Sequence, residues 1–430
     1  MKSPIPDYLS GIMDSCAADV SGERAAYIPE LAAADPDRLA VALCTVDGVV
    51  YAVGDADAEF TIQSISKPFV YALALAERGF SSTLDKVGVE PSGDAFNDFS
   101  LEPDTGRPRN PMINAGAIAT HSLIGEPGAG AEERQERVLA GLSAFAGRRL
   151  EVDERVFASE LETAHRNLAL AHMLRSYGII EDDPVEVVRG YTRQCSVLVT
   201  VRDLAVMAAT LANGGRHPTT DVQVISARVA RQVLSVMTTS GMYDAAGDWV
   251  TTVGIPAKSG VAGGLLGALP GQVGVATFSP RLDKHGHSVR GVQLFRRLTD
   301  DMGMHLMEIP SPGQAVLRKV RTFDGPHGSS MVFQLQGRLG FTTAEVVARE
   351  VVEQAPTTDR VIFDVELLYK VEEVGRVMLL EVCRRLSLEG REVILLDSEG
   401  VLPNPVPGSG ATLKVVTSRE ELIGLASADQ

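Results

Sequence analysis

Residues 259–280 run for the length of a membrane span without one charged side chain, and what that stretch becomes constrains the rest of the chain. Six glycines and Pro270 fall inside it. That content makes a poor lipid helix, whereas short apolar runs parted by glycine suit buried strands joined by turns. The stretch is therefore expected at the centre of a sheet. Toward the other end, residues 39–45 and 49–53 read as two strands joined by Asp47-Gly48, the strongest short hairpin signal. Between these regions lie helical patterns at residues 132–145, 159–177, 201–213 and 227–237, broken by Gly/Pro loops. Thr200 with Asp203 forms a cap-plus-acid start to the third, and Gly214-Gly215 its stop. A last strand pair is expected to flank residues 283–287, with a closing helix over 294–305. Sheet segments from both ends enclosing a helical middle give an α+β class, a mixed sheet plus a helical subregion with a cleft between them.

This first domain is expected over residues 1–308, followed by a Pro/Gly-rich linker at 309–328. Beyond it the pattern becomes strand, helix, strand, helix, strand at residues 331–335, 343–353, 360–364, 374–388 and 392–396. A strand at 413–416 and a short helix after Ser418 complete a small α/β domain over 329–430. The formal charge of −16 and a pI near 5.0 argue against nucleic acid or an anionic membrane as partner. The four cysteines, Cys16, Cys44, Cys195 and Cys383, are scattered without a Cys-x-x-Cys pair. Together with an N-terminus lacking an apolar core, this suits a reduced, cytoplasmic protein with no structural zinc.

Chemistry enters at Ser64-Ile65-Ser66-Lys67, read as the start of a helix over residues 64–78 with Gly79 as its stop. Residues three apart share a helix face, so the Lys67 amine can reach the Ser64 oxygen, and a serine needs such a base. A lysine serves only when its pKa of about 10.4 is lowered, by burial or by a second cation. Lys258, in Lys258-Ser259-Gly260, is expected to supply that cation. Asn114, in a turn-rich stretch from Asn110 to Ala117, can both donate and accept. Ser159 and Glu162 have the form of a capping box, and Glu160 and Asn167, seven apart, would share one helix face. Tyr191 is read in a loop between helical segments. Tyr243 and Val261 lie in glycine-flanked segments that let backbone approach a ligand. His165 and His172 lack the spacing of a helical metal pair and read as packing or surface residues.

A serine with a lysine three residues on, plus a later Lys-Ser-Gly strand, resembles the penicillin-binding and β-lactamase-like acyl-transfer fold. The fuller set runs Gln63 to Lys67, Asn110 to Ala117, Glu160, Asn167, Tyr191 to Ser196 and Lys258 to Gly264. It resembles the serine-dependent glutaminase family over about residues 8–308. The resemblance implies Ser64 as nucleophile, Lys67 as its base and Tyr191 as a second acid/base, with L-glutamine held by Asn114, Glu160, Asn167, Tyr243 and Val261. It implies no metal or organic cofactor, and a homo-oligomer. Tyr191 would need its pKa depressed by Lys67 or Lys258, and the backbone N–H groups of Ser64 and Val261 would serve as oxyanion donors. Two other readings fit the motifs: a penicillin-interacting or D-amino-acid peptidase-type hydrolase, and a non-catalytic glutamine sensor.

The C-terminal region resembles a STAS-like (sulfate-transporter and anti-sigma-antagonist) module, through residues 361–364 and Glu372-Glu373-Val374-Gly375. Relatives that switch by phosphorylation carry a hydroxyl in that tetrapeptide, and this chain has none. The resemblance implies a docking or regulatory surface for a protein partner, with Glu372 and Glu373 as fixed negative charge.

Overall fold

The computed structural model describes residues 5–93, 100–308, 316–325, 328–354 and 358–422. They fall into two units, Met1–Glu308 and Ile309–Gln430. In the first, β1 (Ala40–Thr45) and β2 (Val50–Gly54) form the hairpin expected at Asp47-Gly48. Two short strands, β3 (Phe60–Thr61) and β4 (Leu198–Val199), pair only with each other. The charge-free stretch supplies β6 (Gly264–Leu269) and β7 (Val273–Phe278), and only the last residue of β5 (Ala257–Ser259), which carries Lys258; all three strands are buried. The sheet order is β2-β1-β7-β6-β5, so charge-free β7 takes the centre with β6 beside it, and β5 lies at an edge. Every pairing in it is antiparallel, where a mixed sheet was expected. Hairpins join β1 to β2 and β5 through β7, and the long helical excursion returns the chain antiparallel against β1.

The two faces of this sheet follow the period-two alternation of its strands. Ala40, Ala42, Cys44, Leu266, Ala268 and Ala276 face one way, Val41, Leu43, Leu265, Leu269, Val273 and Val275 the other. The chain's helices run α1 (Ile5–Ala17), α2 (Pro29–Ala32), α3 (Ser66–Lys86), α4 (Asn114–Ser122), α5 (Ala131–Ala146), α6 (Glu154–Glu162), α7 (His165–Ser176), α8 (Pro184–Cys195), α9 (Val201–Ala212), α10 (Ala227–Ser240), α11 (Ala246–Thr252) and α12 (Val289–Met302). The alanine-rich face receives α9, whose backbone comes so near β7 that a Cβ on Gly274 would sit 2.2 Å from the Ala209 nitrogen. The branched face is covered by α1 and α12. Helices α4, α7 and α8 form a separate apolar cluster, the helical subregion.

Several local expectations gave way. Gly79 does not stop the first helix but kinks it, with φ 79° and ψ 168°, and α3 continues to Lys86. The helix expected over 159–177 is two, broken at residues 163–164. Asp153 caps the first by accepting from the Arg155 and Val156 N–H groups, and the Ser159 hydroxyl, expected to cap, donates 2.9 Å to Glu30 Oε1 from inside α6. Around 283–287 there are only isolated bridges, Glu23 with Leu282 and Leu282 with Ser288. The closing helix starts at Val289 because Ser288 Oγ caps it. The Thr200/Asp203 capping box on α9 is present as expected.

In the second unit β8 (Leu317–Gly325) and β9 (Gly328–Leu339) form an antiparallel pair, and β10 (Arg360–Val371), β11 (Glu392–Leu396) and β12 (Lys414–Val416) continue in parallel from β9. The expected linker at 309–328 therefore contains a strand. Val316 and Gly328 flank that strand, and residues 309–315 and 326–327 lie outside the described residues. Helices α13 (Phe341–Gln354) and α14 (Glu373–Leu388) pack on one face through Val347, Val351, Leu379 and Cys383 against Val361, Phe363 and Leu395. Glu372 and Glu373, expected as fixed negative charge, are each paired, with Arg338 and Arg376 respectively.

Candidate active site

The site begins with a strained turn. Gln63 has φ 50°, a left-handed conformation that costs a non-glycine residue about 1–3 kcal/mol and persists only where its surroundings hold it. The turn is a 3₁₀ segment, Gln63–Ile65, and the α-helix starts at Ser66. Ser64 therefore stands just before α3 rather than within it, one turn from Lys67, and both are buried. Lys258 on β5 is fully buried as well.

Asn114, the first residue of α4, is the hub. Its Oδ1 accepts from Lys67 Nζ at 2.7 Å and from the Tyr191 hydroxyl at 3.4 Å, and its Nδ2 donates to Asn167 Oδ1 at 3.1 Å. Gln63 Nε2 donates to Glu160 Oε2 and to Thr61 Oγ1, each at 3.2 Å. Glu160 and Asn167 thus sit on α6 and α7, not on one helix face, and they reach the same centre from two helices. Tyr191 is in α8 and not in a loop. Asp183 caps that helix, Pro184 opens it, and Val187, Val188, Tyr191 and Cys195 form its buried stripe.

On the sheet side, Lys258 Nζ donates 2.9 Å to the Ser259 carbonyl and stands 3.8 Å from the Tyr243 ring centroid. Lys67 Nζ lies 5.7 Å from the same centroid. Tyr243 has φ 55°, a second strained residue, and its hydroxyl shares a hydrogen bond with Ser64. Val261 occupies the turn between β5 and β6, where Gly260 and Gly263 make the turn's own hydrogen bonds. Its N–H has no backbone acceptor among the described residues.

Burial dominates the electrostatics. It lowers Lys67 from 10.5 to about 8, against the opposing pull of Cys195 and Glu160. It drives Lys258 well below its ordinary value, and the Lys67 charge adds to that. The expectation that Lys258 supplies the cation that tunes Lys67 is thus reversed: a fully buried amine beside an ammonium gives up its proton first. Tyr191 is raised well above its ordinary value, by burial and then by Cys195 and Glu160, where a depressed phenol was expected. Glu160 is raised to about 7 by burial, which the Gln63 hydrogen bond and Lys67 only partly offset. Cys195 is held as a thiol, at about 12, chiefly by burial.

Sequence reasoning passed over three residues. Gln63 was visible only as the neighbour of Ser64. Tyr27 is half exposed as a residue, but its phenol is raised well above its ordinary value, first by burial and then by Glu160 and Tyr243, and no local pattern marked it. Cys195 was read for its spacing from the other cysteines and as a member of the Tyr191–Ser196 motif, without a role of its own. His165 and His172 are exposed, and no cluster of three His, Cys, Asp or Glu side chains fit for a metal occurs among the described residues.

Known proteins carry the same fold over nearly the whole length. The crystal structure of the protein called Mglu covers 94% of this chain and all of its own, at 50% identity and a TM-score of 0.86. Its glutamate form matches at 46% identity and a TM-score of 0.84. Proteins named Glutaminase from Corynebacterium efficiens and Corynebacterium glutamicum are each 50% identical, over 98% and 96% of this chain and 99% of their own lengths. The family model described as Glutaminase matches residues 22–307, which contain every side chain of the site. With half of its residues shared along almost all of its length, this chain belongs to the glutaminase family.

Proposed function

We propose that this chain hydrolyses L-glutamine to L-glutamate and ammonia through an ester on Ser64. The observation that carries the reading is the convergence of Lys67 and Tyr191 on one acceptor, Asn114 Oδ1, beside the strained turn of Ser64. Lys67, near half neutral at about pH 8, takes the proton from Ser64 Oγ as that oxygen attacks the side-chain amide carbon. The N–H groups of Ser64 and Val261 receive the developing oxyanion. As the C–N bond breaks, the departing nitrogen needs a proton. Burial makes a free Tyr191 phenolate costly, so the phenol donates while it takes the proton held on the Lys67 ammonium, and Asn114 keeps the two in register. Water then attacks the ester with the same groups in reverse order, releasing glutamate and restoring Ser64.

Glu160 pairs with the α-ammonium of glutamine, which draws the carboxyl to its charged form. The amides of Asn114 and Asn167 and the Tyr243 hydroxyl take the α-carboxylate. Lys258 supports the Tyr243 ring from beneath and exchanges no proton with substrate. The second unit we read as a STAS-like interaction module, a reading its mostly parallel sheet with helices on one face supports. The test is ammonia release from glutamine, asparagine and a chromogenic β-lactam by the native protein and Ser64→Ala. Turnover of glutamine that vanishes in Ser64→Ala is expected. Substantial release by the variant overturns the covalent mechanism, and turnover of the β-lactam instead of glutamine overturns the substrate.

A further inference from the structure

Behind the catalytic cluster runs a second polar chain that the mechanism does not use. His121 Nδ1 lies 3.0 Å from Gln194 Oε1, Gln194 Nε2 donates 3.0 Å to Ser66 Oγ, and Ser66 Oγ donates 2.8 Å to the Gln63 carbonyl. The three side chains are 1%, 2% and 0% exposed. They come from α4, α8 and the first residue of α3, and end on the carbonyl of the one strained residue that precedes Ser64.

The direction of every bond is fixed by chemistry. The Gln63 carbonyl can only accept, so Ser66 must donate to it and accept from an amide N–H. Gln194 then presents its oxygen to His121, which must carry its proton on Nδ1. Burial holds the imidazole pKa down at about 4, so it stays a neutral, fixed donor. The ring is also wedged in place: a Cβ on Gly190 would stand 2.3 Å from His121 Nε2, and only glycine lets α8 lie against it. The same helices carry the reacting groups. Asn114 is two turns from His121 on α4, and Tyr191 is one turn from Gln194 on α8, so the chain locks their spacing to the nucleophile's turn.

We propose that His121, Gln194 and Ser66 are positioning residues that hold the left-handed Gln63 turn, and through it the Ser64 hydroxyl, in attack geometry. The inference rests on reading Ser64 as the nucleophile. Without the relay the turn keeps the Gln63 amide bonds to Glu160 and Thr61 but loses the hold on its carbonyl, which lets the backbone relax and shifts the Ser64 oxygen while leaving the glutamine contacts of Glu160 and Asn167 in place. The loss therefore falls on the chemical step.

The experiment measures kcat and KM for glutamine hydrolysis in Ser66→Ala, Gln194→Met, His121→Leu and His121→Asn, with Ser64→Ala in parallel and Trp249 fluorescence following the melting of each. The first three are expected to lose about tenfold to a hundredfold in kcat with KM little changed, the scale of a small misplacement of reacting groups. His121→Asn, whose amide nitrogen takes the place of Nδ1, is expected to recover most of the loss. Native kcat in Ser66→Ala and Gln194→Met, with Ser64→Ala inert, overturns the relay alone. Losses shared between kcat and KM that track the melting point and are not rescued by His121→Asn overturn it as well, by reducing it to packing. An active Ser64→Ala overturns the nucleophile on which both readings stand, whatever the relay variants do.

Discussion

Replacing Lys67 with methionine should abolish turnover and, at neutral pH, make the protein more stable. The amine ionises at about 8 in the folded chain against 10.5 ordinarily. The gap is 10.5 − 8, about 2.5 units at 1.36 kcal/mol each, so a protonated Lys67 costs the fold about 3 kcal/mol. The folded pKa lies below the unfolded one, so between about pH 8 and 10.5 the unfolded chain holds a proton that the folded chain has released, and stability rises with pH across that window. Below about 8 the cost is present in full. Methionine removes it but also removes the bond to Asn114 Oδ1, worth about 1 kcal/mol for a neutral donor. Lys67→Met should therefore gain about 2 kcal/mol at pH 6.5 and lose most of that gain by pH 9.5. Relief of Lys258, whose pKa the Lys67 charge also lowers, adds in the same direction. Urea titrations at both pH values, followed by fluorescence, read the effect in the right unit, because the one tryptophan, Trp249, is buried in α11. A difference between variant and native protein that does not change with pH would refute the argument from burial.

Two further outcomes follow from the same geometry. If Glu160 must be charged to hold the α-ammonium, KM for glutamine should rise as pH falls through about 7, where its raised pKa lies. Glu160→Gln should have a high KM that is flat over that range, and a native KM without this inflection tells against the pairing. A chain ending at Glu308 keeps every site residue and its own sheet and helices, so it should melt cooperatively and hydrolyse glutamine. An unfolded or inactive product, by sedimentation and ammonia assay, would mean that the first unit depends on the second.

How much of this was legible in sequence depended on whether the cause was local. The Asp47-Gly48 hairpin and the Thr200/Asp203 box are decided within a few residues, and both are present. The charge-free stretch announced its strands because burial on both faces demands apolar residues throughout. The break between α6 and α7 was hidden, since no glycine or proline marks residues 163–164. The start of α8 was not hidden: Asp183-Pro184 is a cap followed by a first-turn proline, a signal that placing Tyr191 in a loop overlooked. Flanking Pro/Gly content masked β8, whose apolar residues Leu317, Val320 and Phe323 fall three apart beside a register shift, without the alternation that marks a strand. At the site, residues singled out by motif and spacing come together in the fold, but which amine yields its proton and which phenol keeps it depend on how deeply each is buried. That is a property of the packed chain, absent from any window of sequence.

The four cysteines each fall in a different apolar layer. Cys16 lies on the buried face of α1 and Cys44 on the sheet face toward α9, while Cys195 belongs to the helical subregion and Cys383 to the second unit. All four are free thiols and all are buried. Burial holds Cys44, Cys195 and Cys383 at about 11, 12 and 12, far from the thiolate that alkylating reagents need. The molecule thus carries four clocks with separate dials. Pulse-labelling in mild denaturant, read by peptide mass, gives the order in which its layers open, without introducing a single probe.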